Sequence, residues 1–306
     1  MKPTVEISSS AEHSSVTYPS WVYHGEIFIS ALFFALSTLL AKFAQQGGAS
    51  SSMITFLRFA IGLGVLLLYM ALLRTKIEPR NPIVLILRGV FNLIAVFLFY
   101  YAIKFTTITN ANLLNMTYPV FVAFMAPVFL HEHLSLREWL ILLVAGIGIY
   151  IIINPNFQHV NIGDLIGLGA GFAAALAIIM LCFARQSNHT ATVLLFMFVV
   201  GTLLSWPAVL NEDMSKYTRE TWWYLLACGV TGVVGQFAIT TGFKYLSAIA
   251  GSITGMTRVV IAAVLGLLFL GEIPTWHVVV GSAILFAAII WLALPKPAIP
   301  NKSDRN

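Results

Sequence analysis

Asn110–Glu132 reads NANLLNMTYPVFVAFMAPVFLHE, and 140 positions later Ala250–Glu272 reads AGSITGMTRVVIAAVLGLLFLGE. At that constant offset Met116-Thr117 meets Met256-Thr257, Val120 meets Val260 and Ala123 meets Ala263. Phe129-Leu130-X-Glu132 meets Phe269-Leu270-X-Glu272 without a gap. The register runs backwards through Gly89-Val90 on Gly229-Val230, Phe97 on Phe237 and Lys104 on Lys244. Composition alone supplies Leu-on-Val coincidences between apolar helices, but not the Met-Thr pair or the Lys and Glu pairs at one offset. The chain reads as a duplication, and a duplicated hydrophobic unit commonly encloses a site at the interface of its copies.

Working outward, the whole chain has the solvent preference of these two stretches. Of its 306 residues 59% are hydrophobic and 9% charged, where a soluble protein is about one quarter charged. The medium is lipid. The formal charge of +5 comes from loops and tails and suits an anionic membrane surface. Basic and aromatic residues do not interleave on any polar face, so no nucleic-acid partner is expected. Cys182 and Cys228 both sit in apolar runs, which supports neither a disulfide framework nor a metal cluster. Residues 1–23 are Ser-rich and polar, without the apolar core of a signal peptide, and are expected to form a disordered cytoplasmic tail.

A crossing helix needs roughly 20 apolar residues. Ten stretches qualify, at about 24–44, 52–73, 82–104, 108–129, 136–154, 162–185, 190–210, 221–243, 248–270 and 275–294. The expected fold class is therefore all-α integral membrane, with five-helix units at 24–154 and 162–294 and a cytoplasmic tail at 295–306. The Lys and Arg balance of the loops favours both termini in the cytoplasm. Because each unit has an odd number of spans, the second is expected to be inverted relative to the first. Gly163, Gly167 and Gly171, and likewise Gly251 and Gly255, repeat every four residues, the spacing of close helix packing.

Polar side chains at mid-membrane depth face the bundle interior or a wet cavity. At about 3.6 residues per turn, the third span puts Asn92, Val96 and Tyr100 on one face. The eighth span puts Gly232, Gln236 and Thr240 at the equivalent positions. The fourth aligns Asn112, Asn115 and Tyr118, and the ninth Ser252, Gly255 and Arg258. Four helices thus contribute polar stripes to one central pocket. Arg258 stands out, because a charge at the middle of an isolated helix costs at least about 2.5–3.5 kcal/mol on insertion scales. A guanidinium there either grips a carboxylate or phosphate bidentately or ties down backbone carbonyls. Arg58 and Arg88 lie one or two turns from their helix ends, and snorkelling to the interface is the expectation for both. Pro119, after Tyr118, frees a backbone carbonyl in the fourth span.

Absences narrow the chemistry. No Asp, Glu or His falls at mid-span, which favours a facilitator or exchanger over a carboxylate-driven proton pump. His131-Glu132-His133 lacks the spacing that puts two imidazoles on one helix face. No Ser, His and acid share a depth suited to a catalytic triad, so neither enzyme chemistry nor a cofactor is expected.

With those residues in view, the chain resembles a ten-helix, EamA-type member of the drug/metabolite transporter superfamily. The resemblance rests on Phe129-Leu130-His131-Glu132 and Phe269-Leu270-Gly271-Glu272, with Leu57-Arg58-Phe59 and Leu87-Arg88-Gly89 in addition. His131 departs from the small residue usual before that Glu. The resemblance implies inverted repeats, a central cavity and alternating access without ATP, with Glu132 and Glu272 capping helices or pairing at the inner side. It also implies a small-molecule substrate from a wide range: amino acids, nucleotide-like compounds, S-adenosylmethionine, choline, sugars or drugs. The expectation is an inner-membrane carrier of amino acids or related zwitterions and organic acids, with membrane lipid around it and a homodimer left open. Arg258 would hold the anionic group, and Asn115, Tyr118, Gln236, Thr240, Asn92, Tyr100, Asn112 and Ser252 would line the pocket. The rivals are uptake of a nucleotide-like compound such as S-adenosylmethionine, with Tyr100 and Tyr118 stacking on it, and a membrane receptor or scaffold that transports nothing.

Overall fold

The computed structural model describes residues 20–75, 77–102, 105, 114–132, 134–153, 162–270 and 276–294. Their regular structure is helical throughout: α1 (Ser20–Gln46), α2 (Ser51–Leu73), α3 (Pro82–Ala102), α4 (Tyr118–Phe129), α5 (Leu136–Ile153), α6 (Ile162–Ser187), α7 (Thr190–Ser205), α8 (Arg219–Gly242), α9 (Ala248–Gly255), α10 (Thr257–Leu270) and α11 (Trp276–Ala293). Two short 3-10 turns, Trp206–Val209 and Met214–Lys216, follow α7. Helix starts are fixed by side-chain caps: Ser50 accepts from the Met53 N–H, Thr218 from that of Thr221, and Ser247 from that of Ala250.

Seven stretches are long and apolar enough to cross a membrane: Trp21–Gln46, Ser51–Leu73, Pro82–Ala102, Ile162–Ser187, Thr190–Val209, Arg219–Gly242 and Ala248–Phe269. The chain is thus a multi-pass membrane protein. Three of the ten expected spans are represented by shorter helices, α4 with 12 residues and α5 and α11 with 18 each. At about 1.5 Å per residue, α5 and α11 reach roughly 27 Å, just short of a hydrocarbon core of about 30 Å. Leu72, Val128, Leu136 and Ile83 are among the large apolar side chains left exposed on the outside of the bundle, where lipid would cover them.

Helix ends recur at the offset read from the sequence. α3 ends at Ala102 and α8 at Gly242; α5 spans Leu136–Ile153 and α11 spans Trp276–Ala293. The Met-Thr pair marks a break in both stretches. Leu114-Asn115 is helical, Met116-Thr117 turns, and α4 begins at Tyr118 with Pro119 in its first turn. Likewise α9 ends at Gly255, Met256 turns, and α10 starts at Thr257. In both breaks the Thr hydroxyl donates to the carbonyl three residues earlier, Thr117 to Leu114 at 2.6 Å and Thr257 to Thr254 at 2.8 Å. An interrupted helix in lipid leaves carbonyls that must find donors. These hydroxyls provide them.

The main packed pairs each join a helix of the first half of the chain to one of the second. α1 packs on α8 and α3 on α6; α1 also meets α10, and α6 meets α4; α2 packs on α7, and α5 on α11. The α2–α7 contact is reciprocal. A Cβ on Gly62 would overlap the Phe198 ring, and one on Gly201 would overlap the Phe59 ring. Each helix thus supplies a glycine to seat the other's phenylalanine. Gly171 on α6 lies against the first break, where an added Cβ would come within 2.7 Å of both the Leu114 carbonyl oxygen and Thr117 Oγ1.

Candidate functional site

Both helix breaks open onto one cavity of about 120 Å³. Asn115, Met116 and Tyr118 reach it from one break, Gly255 and Arg258 from the other, and Ser30 and Phe34 of α1, Arg58 of α2, Arg88 and Asn92 of α3, Ala174 of α6 and Gln236 of α8 complete much of the wall. Small and apolar residues, such as Ala31, Ala95 and Ala177, fill the spaces between the polar groups.

Two polar networks divide the wall. In the first, Arg88 Nη2 donates to Gln236 Oε1 at 3.3 Å, and Gln236 Nε2 donates to Asn92 Oδ1 at 3.4 Å. Arg88 is 2% exposed, and both its Nε and Asn92 Nδ2 are buried donors without an acceptor. In the second, Arg258 Nη2 donates to Thr38 Oγ1 at 2.7 Å and Arg58 Nη1 to the Tyr100 hydroxyl at 3.1 Å. Both guanidiniums lie near the Phe34 ring, at 5.2 Å for Arg58 and 5.8 Å for Arg258, and Arg258 also lies 5.5 Å from the Phe99 ring. Such rings attract a cation by about 0.5–2 kcal/mol, depending on desolvation. Among the described residues, no carboxylate lies within ion-pair distance of Arg58, Arg88 or Arg258.

Of the residues picked out in the sequence, Arg258, Asn115, Tyr118, Gln236 and Asn92 meet at the cavity. Tyr100, Thr240 and Ser252 are not in its wall. Tyr100 is buried behind Arg58, and Thr240 is fully buried. Ser252 contributes its backbone carbonyl, which accepts from the Tyr118 hydroxyl at 3.1 Å and ties the two broken helices together. Asn112 lies outside the described residues. The expectation that Arg58 and Arg88 snorkel is overturned. Both line the cavity, because α8 packs against α2 and α6 and α7 pack against α3, so neither side chain points at the interface. The signal was present in the sequence as two further intramembrane charges. Their depth alone did not reveal which face they occupied.

Just beyond the C-terminal end of α4, both Glu132 carboxylate oxygens accept from the Ala248 N–H, at 3.0 and 3.3 Å, and so cap α9. This is the helix-capping role that the resemblance implied. Burial holds the Glu132 carboxyl above the usual carboxylate range, against the opposing pull of the Ala248 and Ile249 N–H groups. Glu272 lies outside the described residues.

A multi-pass helical membrane protein with a polar, arginine-lined chamber at its helix breaks belongs to a transport class rather than a soluble one. The EamA-like transporter family profile matches residues 25–154 and again residues 161–294. The chain belongs to that family, and so to the drug/metabolite transporter superfamily. It is 28% identical over 244 residues to the pseudopaline exporter CntI of Pseudomonas aeruginosa, covering 79% of this chain and 86% of that protein. It is 22% identical over 267 residues to a riboflavin transporter of Vibrio cholerae, covering 86% and 90% of the two chains. It is 22% identical over 240 residues to an S-adenosylmethionine uptake transporter of Rickettsia bellii, covering 78% and 82% of the two chains. A solved crystal structure with 16% sequence identity superposes with a TM-score of 0.74 over 89% of this chain and 96% of its own, a likeness of fold.

Proposed function

We propose that the chain forms two inverted five-helix repeats, 24–154 and 162–294, and carries small organic anions or acidic zwitterions across the inner membrane by alternating access, with both termini in the cytoplasm. The double family match, the recurring helix ends and the reciprocal Phe–Gly seats of α2 and α7 support the repeat reading. The observation that carries the substrate reading is the lining of one cavity by Arg58, Arg88 and Arg258 without a carboxylate beside any of them among the described residues. Burying a charge without a partner costs several kcal/mol, so an anionic ligand is what such a chamber stabilises best. Arg258 holds the anionic group, with Asn115, Tyr118, Gln236 and Asn92 around it and Tyr100, Thr240 and Ser252 in the layer behind.

Amino acids and related organic acids fit this chamber. S-adenosylmethionine, the substrate named for one relative, fits less well because its sulfonium adds positive charge to a wall that already carries three guanidiniums. The test is tracer counterflow in proteoliposomes across anionic, zwitterionic and cationic metabolites, comparing the wild type with Arg258→Ala. Anion flux that falls at least tenfold in Arg258→Ala is expected. Equal flux in the two proteins, or flux of cations alone, contradicts the assignment.

A further inference from the structure

Resting on that reading, we infer that the substrate is an elongated molecule with two anionic groups held several bonds apart, each taken by its own cationic pole. The two networks of the wall share no hydrogen bond. Arg88, Gln236 and Asn92 form one pole. Arg58 and Arg258, gathered around Phe34, form the other. α3 serves as a ruler between them. It carries Arg88 near its start, and near its end both the Phe99 ring beside Arg258 and the Tyr100 hydroxyl that receives Arg58. Positions 88 and 99 are eleven residues apart, about 16 Å of helix axis. The arginine side chains shorten that gap, and each pole keeps its own donors: Arg88 Nε and Asn92 Nδ2 at one, the Arg58 and Arg258 guanidiniums beside Phe34 at the other.

The hydrogen-bonding inventory points the same way. At the first pole the unpartnered atoms, Arg88 Nε and Asn92 Nδ2, are both donors, on side chains 2% and 7% exposed. They call for acceptor oxygens, and a carboxylate or phosphate supplies two or three from one group. At the second pole the guanidiniums have no acidic partner among the described residues, and their hydroxyl and ring neighbours are neutral. A monoanion leaves one pole empty. A dianion fills both, and Phe34 and Ala31 give its spacer an apolar wall.

The test is ligand-induced thermal stabilisation of the purified full chain in detergent. The probes are hexanoate, succinate, adipate, suberate and tetramethylammonium, applied to the wild type, Arg88→Gln and Arg258→Lys. Adipate or suberate is expected to bind at least tenfold more tightly than hexanoate or succinate. In Arg88→Gln that preference collapses while hexanoate binding persists through the second pole. Arg258→Lys, which keeps the charge, retains a weakened preference and guards against loss of folding as the explanation. If hexanoate binds the wild type as well as suberate does, the two-pole inference is overturned and the anion carrier stands. If tetramethylammonium alone binds, or no probe does, the carrier reading of this cavity falls with it.

Discussion

Gln236→Glu should make the empty protein more stable and a poorer carrier. Gln236 accepts from Arg88 and donates to Asn92, so an isosteric carboxylate places a counter-charge beside a guanidinium that has none among the described residues. At the present 3.3 Å separation, Coulomb attraction at an effective dielectric of about 20 is roughly 5 kcal/mol. Desolvating the new carboxylate takes back several kcal/mol. The net gain is about 0–2 kcal/mol. Asn92 loses the donor from position 236, but rotating its amide presents Nδ2, which now lacks an acceptor, to the new oxygen. The substrate meanwhile loses one charge-assisted contact, about 1.5–3 kcal/mol, or roughly 10- to 100-fold in affinity. Thermal unfolding in detergent reads the first effect, and counterflow of an anionic tracer reads the second. Unchanged anion affinity in a folded Gln236→Glu protein refutes the role of Arg88 in substrate binding.

Two further outcomes test packing and electrostatics away from the cavity. Gly201→Ala drives a Cβ into the buried Phe59 ring and should lower stability by about 1–3 kcal/mol. Gly169→Ala, whose Cβ would meet only Leu98 Cδ1 at 3.7 Å, should be neutral or slightly stabilising by unfolding midpoint. For Glu132, burial raises the folded-state carboxyl above its ordinary value. The stability it contributes is therefore fully present below about pH 4.3, the unfolded value, and is lost as pH rises through the folded one. Glu132→Gln, which keeps an acceptor for the Ala248 N–H, should remove that slope and match or exceed the wild type at neutral pH. Glu132→Ala should lose about 1 kcal/mol with the cap. Unfolding midpoints of the three proteins between pH 4 and pH 8 measure this, and equal losses in both variants would contradict it.

Much of this geometry was legible because depth and repetition survive in one dimension. The Met-Thr pair that fixed the register turned out to mark both helix breaks, where the Thr hydroxyl repairs a carbonyl left without its helical donor. Asn92 and Gln236, read on equivalent faces of two helices and one turn apart in the repeat register, hydrogen-bond to one another across the chamber. Facing is harder to read than depth. Tyr100 lies on the Asn92 stripe but two turns further on, where the wall has closed and its hydroxyl serves Arg58 instead. Thr240 follows Gln236 by one turn and is fully buried. Arg88 illustrates the converse: six residues from the start of α3 a side chain can reach the interface, and only the packing of α6 and α7 against α3 closes that route.

Alternating access through a single chamber is tested most directly at Ser30, which lines the cavity on α1. Cys182 and Cys228 are both buried, so a Ser30→Cys thiol provides the reporter. A membrane-impermeant maleimide should label Ser30→Cys from either side of oriented proteoliposomes, and a transported anion should slow labelling from both. Labelling from one side only, or labelling that a transported anion leaves unchanged, would contradict a chamber that opens in turn to the two faces of the membrane.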